Sequence, residues 1–88
     1  MARRRRYRRG VTVLRLFASA REAAGTGRAD IEATTVGEVL DEARRRFGEG
    51  FAAVLGTCRV WCNGEPAAPE DPVAPGDEVA VLPPVSGG

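Results

Sequence analysis

One segment constrains the fold of this chain more than any other: Thr35 to Gly48 is written as a single amphipathic helix. Thr35 and Glu38 stand at T-x-x-E spacing, the pattern of a capping box that satisfies the orphan N–H groups of a first helical turn. Val36, Val39, Leu40, Ala43 and Phe47 then recur at i, i+3, i+4, i+7 and i+11 and draw one apolar stripe. Glu38, Asp41 and Glu42 sit early and Arg44, Arg45 and Arg46 late, which matches the helix dipole. Gly48 is the natural stop. A single one-sided helix must lay its stripe on something flat, so the rest of the chain is expected to supply a sheet.

The flanking segments read as short strands. Val11 to Phe17 (VTVLRLF) is a β-branched and aromatic run, with Thr12, Leu14 and Leu16 on the core face and Val13, Arg15 and Phe17 on the other. Ala18 to Ala24 has short helical propensity and is stopped by Gly25 and Gly27. Ala29 to Ala33 is a weak edge strand, and Phe51 to Leu55 is long enough for one further turn of helix. Cys58 to Cys62 (CRVWC) reads as a strand running into Asn63-Gly64, a strong hairpin signal. Four prolines between Pro66 and Pro75 leave at most a short strand near Val73. Pro75-Gly76-Asp77 is a turn, and Glu78 to Leu82 is the last strand with Val79 and Val81 inward. Helix against one face of a mixed sheet makes this a small α+β domain.

Composition narrows the chemistry. At 88 residues, a single domain buries roughly 60% of the surface its unfolded chain exposes, which leaves no room for a deep, self-contained active site. With no histidine, two serines and two cysteines, Ser-His and Cys-His catalysis, His-containing zinc sites and His-ligated haem are excluded. The apolar runs are too short to span a membrane, and the first ten residues lack the apolar core of a secretory signal. The net charge of +1 hides an asymmetry. Six of thirteen arginines fall in the first nine residues, so the remainder carries seven arginines against twelve acids, or −5. There is no lysine. Residues 1–10 are accordingly expected to form a basic, disordered arm, 11–82 the domain and 83–88 a flexible tail. Pro83 and Pro84 block pairing and helix alike, and Gly87 and Gly88 add freedom.

Cys58 and Cys62 would lie about 13 Å apart along a strand, beyond the roughly 7 Å that a disulfide spans. They read as two buried small apolar residues flanking Val60, in keeping with a reducing cytoplasm. Glu70, Asp71, Asp77 and Glu78 would favour a basic rim on a partner, or serve solubility alone.

Phe17-Ala18, Arg21-Glu22 and Gly25 (FA-x-x-RE-x-x-G) after the first strand, Gly76-Asp77-Glu78-Val79 into the last, and the ending PPVSGG together resemble the MoaD/ThiS sulfur carriers, most of all MoaD, the small subunit of molybdopterin synthase. The resemblance spans about residues 11 to 88 and implies a β-grasp, ubiquitin-like fold with an extended Gly-Gly tail. It also implies that the Gly88 carboxylate, carried with Gly87, is adenylated and then converted to a thiocarboxylate. In the family this group donates sulfur to a cyclic pyranopterin phosphate in molybdenum cofactor synthesis. No bound cofactor is implied, ATP being used by the activating partner. The implied partners are a MoeB-like adenylyltransferase and a MoaE-like large subunit in a heterotetramer, in the cytoplasm, with no membrane. Nucleic acid is expected to touch nothing but the arm. Phe17, Trp61 and Leu82, out of phase with the core, are expected to form a docking patch, with Pro83, Pro84, Val85 and Ser86 entering the partner. The alternatives are a sister carrier for thiamine thiazole or cysteine synthesis, and a ubiquitin-like protein modifier attached through Gly88.

Overall fold

The computed structural model describes residues 11–84. The expected arm (1–10) and Val85, Ser86, Gly87 and Gly88 lie outside them. Along the chain run β1 (Val11–Leu16), α1 (Ala18–Ala24), β2 (Arg28–Glu32), α2 (Val36–Phe47), α3 (Glu49–Leu55), β3 (Arg59–Cys62), β4 (Glu65–Pro66) and β5 (Glu78–Leu82). The strands form one mixed sheet in the order β2-β1-β5-β3-β4. β1 and β5 are parallel, and the other neighbours are antiparallel. A parallel pair needs a long crossover, and the helices supply it on one face. This is the β-grasp arrangement.

The sequence pattern accounts for most of these elements. The Thr35 hydroxyl accepts the Glu38 N–H at 3.2 Å, as the cap spacing requires. The returning carboxylate reaches one residue further than a capping box does. Glu38 takes the N–H of Thr34 at 2.8 Å and its hydroxyl at 2.9 Å, while backbone bonds from Val36 to Asp71 and from Val73 to Thr34 flank the Thr35–Pro72 bridge. These bonds, led by the Thr34 N–H, hold the Glu38 carboxyl below its ordinary range. Val36, Val39, Leu40 and Ala43 are buried, and Phe47 closes the stripe edge-on to Phe51. The stripe meets Leu14, Leu16, Ile31, Val79 and Val81 from the inner face of the sheet.

Four features depart from the sequence pattern. α3 is a seven-residue helix rather than a turn. It packs on α1 and α2, and Phe51 is the largest fully buried side chain. The short strand lies at Glu65–Pro66, because Asn63 (φ 52) and Gly64 (φ 87) fold the chain straight back on β3. Near Val73 only the isolated Thr35–Pro72 bridge forms. Val13 sits on the outer face as its phase dictates, yet it is buried. β1 is an inner strand there, and register places Asp30 and Glu78 on either side of Val13. Finally, Cys58 precedes β3 rather than lying in it, and both cysteines are free and only half-buried.

Thr12 faces inward from β1 and is fully buried, and its hydroxyl finds no partner among the described residues. A buried unpaired hydroxyl costs about 1–3 kcal/mol. Thr12→Val keeps the shape and removes that cost, so it is expected to raise stability by about 1 kcal/mol, read as a higher denaturant midpoint at unchanged slope.

Candidate functional site

The segment expected to carry the chemistry follows β5, the middle strand of the sheet. Val79 and Val81 are fully buried and fix its inner face. Asn63 fastens its start by donating its N–H to the Glu78 carbonyl (2.9 Å) and accepting the Glu78 N–H on its side chain (3.0 Å). The strand ends at Leu82 because Pro83 and Pro84 have no N–H to continue the ladder. Pro83 is half-buried and Pro84 exposed.

Phe17 lies beside this exit. Its N–H donates to the Val81 carbonyl at 3.2 Å. The chain then turns sharply through Ala18, at φ 50, into α1. The turn leaves the Phe17 ring outside the core at 39% exposure, and it is the exposed large hydrophobic side chain among the described residues. Register places Trp61 opposite Ala80 and Leu82 opposite Arg59, so both side chains fall on the outer face of the sheet. Phe17, Trp61 and Leu82 thus share the face turned from the helices, although Trp61 and Leu82 are half-buried rather than open. With Asn63, Gly64, Glu78 and Ala80 they line a shallow hollow of about 440 Å³. The small side chain of Ala80, between Trp61 and the β1 register, leaves room for it. The sequence pattern marks Asn63 as a turn residue and gives Ala80 no role, though the alternation that places Val79 and Val81 inward also sets Ala80 outward. The Arg15 guanidinium covers the Phe17 ring at 5.8 Å and bonds Glu78 at 3.0 Å.

Other candidates are occupied by local structure. Asp71 accepts the Ala68 N–H at 2.9 Å and Asp77 the Ala74 N–H at 2.8 Å, so both carboxylates tie turns together. Glu78 is paired with Arg15, and Glu70 is exposed. Burial, together with Asp77 and Asp71 nearby, pushes the Cys62 thiol up, which holds it in the protonated, poorly nucleophilic form. The Cys58 thiol contacts the Val54 carbonyl at 3.3 Å. Among the described residues no cluster of three or more His, Cys, Asp or Glu side chains is arranged to hold a metal ion, and no helix is long and apolar enough to cross a membrane.

Comparison with known proteins agrees with this geometry. The chain is 40% identical over 85 residues to small archaeal modifier protein 1 of Haloferax volcanii, covering 84% of this chain and 97% of that one. A crystal structure of that protein superposes with a TM-score of 0.78 at 34% identity, over 90% of this chain and all of the other. A complex of subunits 1 and 2 of molybdopterin-converting factor from Helicobacter pylori matches with a TM-score of 0.69 at 25% identity, over 89% of this chain and 99% of the matched one. The model of the ThiS family matches residues 14–88. That match takes in the sheet, its outer face and the Gly-Gly end alike: the chain belongs to the ThiS family, as a β-grasp carrier of ThiS/MoaD type.

Proposed function

We propose that this protein carries sulfur on its C-terminal carboxylate for molybdopterin synthesis. The observation that carries the reading is the exit of β5: the sequence ends PPVSGG directly after Leu82, beside the Phe17–Trp61–Leu82 hollow. A reactive terminus thus follows at once from a surface fit to dock a partner. Gly87 and Gly88 have no Cβ, so a narrow channel and a nucleotide can approach them closely. The carboxylate of Gly88 is a poor electrophile. Its attack on the α-phosphorus of ATP, held by a MoeB-like adenylyltransferase, displaces pyrophosphate and gives an acyl-adenylate. Hydrosulfide, or its equivalent from a sulfur donor, then adds to the acyl carbon and AMP leaves. The resulting thiocarboxylate is a soft, anionic nucleophile, and in the site of a MoaE-like large subunit it transfers sulfur to a cyclic pyranopterin phosphate. The Helicobacter pylori complex supports a partner of that kind. The carrier binds no cofactor of its own in this scheme and acts in the cytoplasm, where free Cys58 and Cys62 stay reduced.

A second reading is favoured by the 40% identity to a small archaeal modifier protein. There the same adenylate passes to a lysine amine of another protein as an isopeptide. With no lysine of its own, this chain cannot extend lysine-linked chains on itself.

Intact-mass measurement after co-expression with the adenylyltransferase of the same organism tests the proposal. The expected result is a gain equal to the difference between one sulfur and one oxygen atom, lost when Gly88 is removed. An unchanged mass beside larger isopeptide-linked species would replace the carrier reading with the modifier reading.

A further inference from the structure

Phe17 also borders a second hollow, of about 400 Å³, and this one is basic. Arg15 reaches it from β1, Arg21 from the last turn of α1, and Arg28 from β2, over a floor made by Thr26 and Gly27. Arg15 and Arg28 face each other across the β1–β2 ladder, and the turn between α1 and β2 brings Arg21 beside them. Gly25 ends α1 in the left-handed conformation (φ 79), and Thr26 holds the next bend by accepting the Arg28 N–H at 3.3 Å and donating to its carbonyl at 3.0 Å. Gly27 then leaves space for Arg21. A Cβ there would stand 3.4 Å from Arg21 Nε and 3.5 Å from its Cδ, so the arginine stem lies across the glycine. Two of the three cations are balanced on the sheet: Arg15 pairs with Glu78 at 3.0 Å and Arg28 with Asp30 at 3.5 Å. Among the described residues Arg21 makes no ion pair.

Three guanidinium groups against two carboxylates leave one positive charge unmatched, in a hollow large enough for a side chain. Guanidinium forks match a carboxylate in two-bonded geometry. The neighbouring hollow around Trp61 and Leu82 is mostly apolar, with Glu78, paired to Arg15, on its wall, and Phe17 belongs to both. Of the acids expected to set the charge of a partner's rim, Asp71 and Asp77 are held in turns and Glu78 is paired with Arg15.

We infer that the Arg15–Arg21–Arg28 hollow receives an Asp or Glu side chain of the activating adenylyltransferase, seated next to an apolar anchor in the Phe17–Trp61–Leu82 hollow. The partner's rim on this side is therefore acidic, the reverse of the charge expected from the sequence. This rests on the carrier reading above, in which such an enzyme engages the chain.

The test is ATP–pyrophosphate exchange by the adenylyltransferase of the same organism, with the full 88-residue chain as varied substrate. Exchange with the wild-type chain is the control for the carrier reading; its absence would sink that reading rather than the docking assignment. Arg21→Glu is expected to raise the half-saturating concentration about tenfold or more, leaving the maximal rate within about twofold. Arg21→Lys is expected to recover part of the loss, and rising salt to weaken the wild type more than Arg21→Glu. Arg28→Gln is the milder second variant should Arg21→Glu lose its cooperative melt. Unchanged half-saturation in a folded Arg21→Glu chain would overturn the assignment. So would saturable amide shifts at Gly27 and Arg28 on titrating the free chain with inorganic phosphate, which would make the hollow a site for a free oxyanion instead.

Discussion

Deletion of Gly88 is expected to lower adenylation and sulfur transfer by at least about 100-fold while leaving the melting temperature unchanged. The truncated chain still ends in a carboxylate, that of Gly87, so its chemistry is intact and only its reach changes. One residue is up to about 3.6 Å of extended chain. A reacting atom misplaced by about 1 Å already costs on the order of 100-fold. The domain does not notice, because its core is built from residues between Leu14 and Val81. Exchange kinetics and a thermal melt on the same preparation separate the two effects. Sulfur transfer that survived the deletion would show that the reactive group lies elsewhere.

The largest effect on stability is expected from Phe51→Ala. Phe51 is fully buried and meets Phe47 edge-on at a centroid distance of 5.2 Å. Emptying such a site costs about 3–5 kcal/mol. A domain of this size has only about 4–13 kcal/mol in total. At about 4–8 °C per kcal/mol, the melt should fall by roughly 12 °C or more. The substituted helix lies across the core from the outer face of the sheet, so the chain that remains folded in the cold is expected to be adenylated normally. A shift of only a few degrees would mean that α3 contributes little to the cooperative unit.

That helix also marks where sequence patterns stop being legible. Thr35, Asn63-Gly64 and the Val79/Val81 alternation each act through their immediate neighbours, and each could be read in isolation. EGFAAVL has a glycine in its second position and too few residues to show a period; its helix exists because Phe51 and Leu55 find the core, a long-range condition. β4 is a similar case. Pro66 argues against a strand until the sheet order shows that β4 is an edge, where a missing N–H is tolerated. For the candidate site, the phase of Phe17, Trp61 and Leu82 was readable because strand alternation is local. The basic hollow was not. Arg15, Arg21 and Arg28 belong to three elements; the β1–β2 register sets Arg15 opposite Arg28, and the Gly25–Gly27 turn adds Arg21.

The place of β5 between a parallel β1 and an antiparallel β3 has a mechanical consequence. A partner that draws on the tail pulls along the strand axis, and the load falls on both ladders at once, in shear. Peeling an edge strand breaks its bonds one after another; this strand must break with most of its bonds loaded together. β1 and β5 run the same way, so tension between the first and last described residues meets the same resistance. For the proposed carrier role, this means that tension applied at the terminus is met by the central strand of the sheet rather than by an edge, and the fold behind it holds.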